Sequence, residues 1–451
     1  MSNKKDPVNN DLINKLSFCV FDLETTGGNH DTDRIIEIGM VKITNMQIVD
    51  EKTFLIRPDV AIPEFIQKLT TITPQDVKNS PRIEEIIDLI LEFMGDSILV
   101  AHNTSFDIPF FNAVLKRIGH QPLKNPSLCT NLMTKYMIPN LLNTNLNYMS
   151  KIFRIKHRKA HRALDDARAT AELLLTYLKI YKDKGITKIN GLYYPRNRFE
   201  LDRANIKNEN DAENRLLQKL SELKSPFVLT LKGESGVILY AQPATSTATE
   251  LKFIKKALQS TSWLSATIKL YGTSLETLIN FTSTFTKLSP ETRKQVLSLL
   301  QEVYLKNKNP LDELGVKELT DKNLEKIVSE KIGDFILMHH LVPDQLLVLP
   351  ITYLHPKAEL IFRYPGHQKK FLQYVNARVT RWMQPGGPRP SYPIGYKIFL
   401  YNFILSKSSE YEEFFNFKKS LVKKDNDQFF KELDHFINNN PNLNSYPSDY
   451  L

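Results

Sequence analysis

The chain has 451 residues, of which 41% are hydrophobic and 24% charged, and a formal net charge of +10. That length allows two or three domains with their own cores, and the basic balance suits a polyanionic partner such as nucleic acid. Two cysteines, Cys19 and Cys129, exclude a disulfide framework and a thiolate metal site. The first eleven residues are polar and lack the apolar core of a signal peptide, and no run of about 18 apolar residues appears, so a cytoplasmic protein with no membrane association is expected. The nearest apolar candidate, Phe335 to Leu354, is broken by His339, His340, Pro343, Asp344, Gln345 and Pro350.

From about residue 12 to 183, strand and helix patterns alternate, the mark of an α/β layer fold. The strand patterns are Phe18–Asp22, Ile35–Ile43, Lys52–Ile56 and Ile98–Ala101. Helical spacing marks Ile83–Met94, Phe106–Ile118 and Ala163–Leu178. Residues 184–211 are polar and Asn-rich and read as a linker. Residues 212–290 begin with a helical pattern through Leu216 and Leu220. A hairpin follows, from Phe227–Leu231 to Val237–Tyr240 across Gly233 to Gly236, then helical patterns at Glu250–Leu258 and Leu275–Phe281. Residues 291–451 read as a mostly helical region of unassigned role, opening on the Pro290–Leu305 pattern. Arg378, Arg381, Trp382, Arg389 and Tyr392 surround its Pro/Gly-rich stretch Gln384–Pro393 and mix cations with aromatic rings, as nucleic-acid platforms do, although a packed loop is the plainer reading. His339, His340, His355 and His367 lack a metal-ligand spacing.

The chemistry concentrates in three places. Asp22 and Glu24 sit two apart at the end of an apolar strand, so both carboxylates point to one face. Two acids aimed together there repel and are costly to desolvate, and divalent cations relieve both problems. Asp107 lies in the first turn of a helix that follows a short buried strand, where the helix dipole favours an acid. His161 lies on the loop before the Ala163–Leu178 helix, and Asp165 and Asp166 lie in its first turn, pointing about 100° apart.

These residues form three ordered motifs: Asp22-Leu23-Glu24-Thr25-Thr26-Gly27, His102-Asn103-Thr104-Ser105-Phe106-Asp107 and His161-Arg162-Ala163-Leu164-Asp165-Asp166. Together they resemble the DEDDh exonucleases, the family of the proofreading epsilon subunit of bacterial DNA polymerase III and of ribonuclease T. The resemblance covers about residues 14 to 182 and implies a ribonuclease H-like mixed sheet flanked by helices. It implies two divalent cations, Mg²⁺ or Mn²⁺, held by Asp22, Glu24, Asp107 and Asp166, with His161 taking the proton of the attacking water. The family's histidine-to-aspartate offset selects Asp166 over Asp165. Thr25, Thr26 and Gly27 are expected against the terminal nucleotide, with His102, Asn103 and Phe106 as further substrate contacts. For His102 and Asn103 a structural hydrogen-bonding role is an equal alternative.

The basic run Lys151, Arg154, Lys156, Arg158, Lys159 and Arg162 fits a phosphate-contacting edge as well as it fits a solvated face. Cys129 stands where many relatives carry aspartate, a position outside the metal set. The expected partner is a single-stranded nucleic-acid 3′ end, DNA ahead of RNA, in proofreading or repair and beside a polymerase or repair complex. RNA 3′ trimming and a scaffold role for the C-terminal region are the alternatives. The segment 212–290 resembles a degenerate GIY-YIG domain of the UvrC type. Leu229 and Gln242 replace two motif residues, and Tyr240 and Glu276 are retained.

Overall fold

The computed structural model describes residues 12–138, 141–157, 160–193, 200–306, 308–314, 320–382, 393–407, 413–424 and 426–439. Arg158, Lys159, Arg389, Tyr392 and the side chains of Arg378, Arg381 and Trp382 lie outside that description. The chain divides into two units, one ending at Glu200 and one beginning at Leu201.

The first unit is built on a five-stranded sheet of β1 (Ser17–Thr25), β2 (Ile35–Thr44), β3 (Gln47–Leu55), β4 (Ile98–Ala101) and β5 (Ser127–Cys129), in the order β3-β2-β1-β4-β5. β2 is antiparallel to both β1 and β3, and β4 is parallel to both β1 and β5. This is the mixed sheet of the ribonuclease H-like fold, as expected from the motifs. The helices are α1 (Glu64–Thr70), α2 (Pro74–Val77), α3 (Ile83–Met94), α4 (Thr104–Arg117), α5 (Thr130–Met137), α6 (Leu146–Ile152), α7 (Ala163–Asp183) and α8 (Asn190–Tyr193).

Alternation along β1 decides what faces what. Cys19, Phe21 and Leu23 enter a core with Ile86, Ile90 and Phe93 of α3 and Phe110, Phe111 and Val114 of α4. The other face, with Asp22 and Glu24, turns toward α7, which packs across β1 and β2. Gly39 sets how closely. It pairs with Asp22 in the ladder, and a Cβ there would lie 2.2 Å from the backbone of Ala163 and Leu164. Only a glycine lets the first turn of α7 press against the strand pair beside Asp22.

The second unit contains a four-stranded antiparallel sheet of β6 (Arg203–Lys207), β7 (Phe227–Lys232), β8 (Ile238–Ala244) and β9 (Ser265–Leu270), in the order β6-β9-β7-β8. α9 (Ala212–Glu222), α10 (Ala248–Ser260), α11 (Ser274–Phe285) and α12 (Pro290–Leu305) accompany it. The segment read as a linker, 184–211, thus contributes an edge strand. Arg203, Asn205 and Lys207 point outward and only Ala204 and Ile206 are half-buried, so its apolar signal is weak.

Beyond α12 most described residues are helical, and a second four-stranded sheet lies among those helices. It comprises β10 (Phe335–His339), β11 (Gln345–Pro350), β12 (Leu360–Arg363) and β13 (Phe415–Phe417), ordered β12-β11-β10-β13. Its core is rich in phenylalanine, including Phe335, Phe362, Phe371, Phe417 and Phe429. Among the described residues no helix is long and apolar enough to cross a membrane.

Candidate active site

Four elements deliver the carboxylates and the histidine. β1 carries Asp22 and Glu24 and ends in a register shift between Glu24 and Thr25, which turns the chain away after the second acid. α4 carries Asp107, which is buried (4% exposed). Main-chain N–H groups of Asp107 and Leu23 favour its ionised form, so this carboxyl reaches β1 between the two acids. α7 carries Asp166, and the loop before it carries His161.

Ligand atoms of Glu24, His161 and Asp166 lie within 4.8 Å of one another, close enough to share a cation. His161 is exposed and has a left-handed backbone (φ 65°), and its N–H donates to Asp166 Oδ2 at 3.2 Å. Asp165 is half-exposed and outside this group.

The electrostatics are those of crowded acids. Burial, then the charges of Asp107, Asp166, Glu24 and Glu37, raises the Asp22 carboxyl well above its ordinary range. Burial, Asp166 and Glu37 push Glu24 to about 8 against the opposing pull of Arg162. Burial lifts Asp107 to about 7. Such a set is costly when ionised and becomes favourable when cations neutralise it, so the donors fit hard divalent ions such as Mg²⁺ or Mn²⁺.

Sequence reasoning passed over two further residues and misassigned a third. Glu37 stands opposite Glu24 in the ladder and is 2% exposed. It accepts from Arg162 Nε (3.1 Å), Arg162 Nη2 (2.8 Å) and the Ala163 N–H (2.9 Å), tying the start of α7 to β2. Arg162, read as part of a basic edge, is therefore half-buried and committed to Glu37. His157 donates from Nε2 to Asp166 Oδ1, and its buried Nδ1 has no partner among the described residues. An acid inside an apolar strand was the available signal for Glu37. Nothing in the basic run singled out His157.

The expected substrate contacts divide. His102 Nδ1 meets Thr130 Oγ1 at 2.9 Å and Nε2 meets the Thr144 carbonyl at 2.6 Å, so both ring nitrogens have protein partners. Asn103 precedes α4 and accepts from Ser105 Oγ, and Phe106 packs on the α3–α4 core. Thr26 is buried, its N–H donates to the Arg34 carbonyl at 2.8 Å, and its hydroxyl accepts from the Arg34 N–H at 3.0 Å. It holds the turn; Thr25 is buried as well, and Gly27 is half-exposed. Thr25 Oγ1 donates to the Gly27 carbonyl at 2.7 Å. In the second unit Glu276 is buried and accepts from the Gly272 N–H at 2.7 Å, a helix cap, while Tyr240 donates its hydroxyl to Gln242 Oε1 at 2.6 Å.

Residues 19–174 match the family model described as exonuclease, RNase_T. Among curated proteins, the PolC-type DNA polymerase III of Clostridium perfringens is 42% identical over 167 residues, covering 37% of this chain and 12% of that protein. A Mycobacterium tuberculosis protein described as a bifunctional exonuclease/endonuclease is 33% identical over 248 residues, covering 53% of this chain and 37% of that protein. The chain therefore spans well under half the length of these relatives. Among solved structures, the nuclease domain of 3′hExo, a DEDDh family member bound to rAMP, is 18% identical with a TM-score of 0.34, covering 40% of this chain and 98% of that one.

Proposed function

We propose that residues 19–174 form a DEDDh-type exonuclease domain and that the protein uses it to remove nucleotides from nucleic-acid 3′ ends as nucleoside 5′-monophosphates. The observation that carries this reading is the convergence of Glu24, Asp166 and His161 ligand atoms beside Asp22 and Asp107. Asp22, Glu24, Asp107 and Asp166 would hold two divalent cations, which supply Lewis-acid stabilisation of the phosphate charge and an acidified water. His161, exposed at the mouth of the group, accepts the proton of that water. Thr25 and Gly27 border the terminal nucleotide. DNA is the favoured substrate, because the relatives similar over these residues include polymerase III proteins of the PolC type. That likeness also supports a proofreading or repair setting in the cytoplasm.

The second unit is proposed to lack endonuclease chemistry. A retained GIY-YIG site needs a tyrosine hydroxyl, an arginine and a free glutamate. Here Tyr240 is tied to Gln242, and Glu276 caps a helix. The ββαβα order of β7, β8, α10, β9 and α11 leaves a docking module as the reading for that unit.

The test is end-labelled single-stranded DNA, duplex DNA and RNA incubated with the full chain and Mg²⁺ or Mn²⁺. Faster loss of 3′ nucleotides from DNA supports the proposal. Equal or faster trimming of RNA would replace it with the RNA reading, and nicking of supercoiled DNA that vanishes in Glu276→Gln would contradict the assignment of the second unit.

A further inference from the structure

A second charged site lies at the same end of the sheet as the carboxylates, on the face covered by α3 and α4 and around the sheet end from the α7 face toward which Asp22 and Glu24 turn. Arg34, Arg57, Arg82 and Arg117 line one small cavity of about 80 Å³, together with the carboxylates Asp59 and Glu84. They come from four separate places: before β2, after β3, before α3 and the last turn of α4. Four guanidiniums against two carboxylates leave an excess of positive charge.

Topology fixes the location. β2 begins at Ile35, opposite Thr25 at the end of β1, and Leu55 at the end of β3 pairs with Glu37. Arg34 and Arg57 therefore extend from the sheet end that carries Glu24. The Arg57 N–H donates to the Pro81 carbonyl at 2.9 Å, which brings the start of α3 and Arg82 to the same place. β3 lies two strand spacings from β1, about 10 Å. The turn between the two sites is well tied: Asp33 Oδ2 accepts from the Asn29 N–H at 2.8 Å, and Arg117 Nη2 donates to the His30 carbonyl at 2.8 Å.

The arginines are held in place with donors to spare. Arg34 makes a two-point pair with Asp59 (2.5 and 3.2 Å) and its Nη1 donates to the Thr32 and Asp33 carbonyls (2.6 and 3.3 Å), and Arg117 donates to the His30, Asp31 and Asp33 carbonyls, so these two are the more heavily committed of the four. Arg57 Nη1 donates to the Lys78 carbonyl at 3.4 Å. Each guanidinium has five N–H donors, more than these contacts use. Burial and then the facing charge of Arg34 lower the pKa of Arg117, against the opposing pull of Asp59, Asp31 and Glu84. A cavity of this size takes several waters or one tetrahedral oxyanion.

We propose that this arginine cavity binds a phosphate group of the substrate strand, a few nucleotides upstream of the 3′ end held by the carboxylates. The proposal rests on the exonuclease reading for its choice of ligand. Arginine forks match phosphate oxygens in pairs, and such contacts position a strand without reading its sequence. A site so placed gives longer single strands an affinity that very short ones lack.

The experiment uses the full chain with Ca²⁺, and fluorescence anisotropy of a labelled trinucleotide and a labelled dodecamer across a salt series. The variants are Arg57→Ala/Arg82→Ala and, as a charge-retaining control, Arg57→Lys/Arg82→Lys. The alanine pair should bind the dodecamer about tenfold more weakly, with its salt slope reduced by about 0.7 for the one lost phosphate. The trinucleotide should bind as it does to the unsubstituted protein, and the lysine pair should recover part of the loss. Inorganic phosphate should displace the dodecamer from the unsubstituted protein more readily than from the alanine pair. Turnover of the same dodecamer with Mg²⁺ is read separately, so a failure of the exonuclease reading shows there and not in the anisotropy. Unchanged dodecamer affinity and slope in the alanine pair would overturn the proposal. So would equal loss for both lengths, or calorimetric binding of inorganic phosphate that the alanine pair loses while dodecamer binding stays intact.

Discussion

His157 Nε2 is hydrogen-bonded to Oδ1 of Asp166, while the main-chain N–H of His161 meets Oδ2 of the same carboxylate. One side chain on α7 is thus held at both oxygens by the loop that precedes it. The two histidines have different positions and so different expected roles. His161 is exposed at the mouth of the acid group, and the His157 side chain is 8% exposed behind it.

This division predicts two distinct defects. His161→Ala should lower kcat by about 10²–10⁴-fold, the range for losing a positioned base, with little change in the Mn²⁺ concentration needed for half activity. His157→Ala should raise that Mn²⁺ requirement by about 10–100-fold, as loss of a ligand's hydrogen-bond partner does. His157→Gln, which keeps a donor, should recover part of it. A Mn²⁺ titration of each variant separates them. A fall in kcat at saturating Mn²⁺ in His157→Ala, with the half-activity point unmoved, would make His157 the proton acceptor instead.

The neighbouring acids on α7 give a second contrast. Asp166→Asn should nearly eliminate turnover, because it removes an anionic oxygen from the cation-binding group. Asp165→Asn should retain most activity. Single-turnover rates on one labelled strand decide the matter, and the reverse ranking would place Asp165 in the site.

Gly39→Ala tests how the site is assembled. The added methyl would meet the Ala163–Leu164 backbone at 2.2 Å, and a helix backbone cannot yield as a flexible side-chain end can. Overpacking of this kind costs about 1–3 kcal/mol. The first turn of α7 should shift away from Asp22, so Mn²⁺ affinity should fall along with thermal stability. A variant that loses stability but binds Mn²⁺ as before would show that the close contact serves packing alone.

The raised carboxyl pKa values carry a definite sign. Glu24 at about 8 and Asp107 at about 7 hold protons more tightly in the folded chain than in an unfolded one. In EDTA their contribution to stability is full below the ordinary carboxylate range and is lost as pH rises through about 7 and about 8. The melting temperature in EDTA should therefore drop as pH rises from about 4 to about 8 and level off above that, and added Mn²⁺ should restore it. Calorimetry near neutral pH in buffers of different ionisation enthalpy should show protons released on Mn²⁺ binding. Asp22→Asn should raise the melting temperature in EDTA at the high end, because it removes a carboxylate that four others repel.

The strand at Phe18–Asp22 and its acids were legible because a short local pattern specifies them: an apolar run, two acids at strand spacing and a turn. The helices at Ile83–Met94 and Ala163–Leu178 were legible through periodicity. Glu37 was not, because its role depends on Arg162 and Ala163, more than a hundred residues away. Gly39 reads as one small residue in a strand until α7 lies against it. The sheet of β10–β13 was passed over for a related reason. Phe335–His339 and Gln345–Pro350 are short runs buried throughout, which periodicity cannot tell from helix, and β13 joins them from far along the chain. β6 was missed because an edge strand exposes half of its residues.

The central claim is that Asp22, Glu24, Asp107 and Asp166 bind divalent cations for hydrolysis at a 3′ terminus. The most direct test is a 5′-labelled single strand incubated with Mn²⁺ and either the unsubstituted chain or Asp166→Asn. The expected result is a ladder that shortens from the 3′ end, release of nucleoside 5′-monophosphates, and loss of both in EDTA and in the variant. Shortening that persists in EDTA, or that is unchanged in Asp166→Asn, would contradict the account.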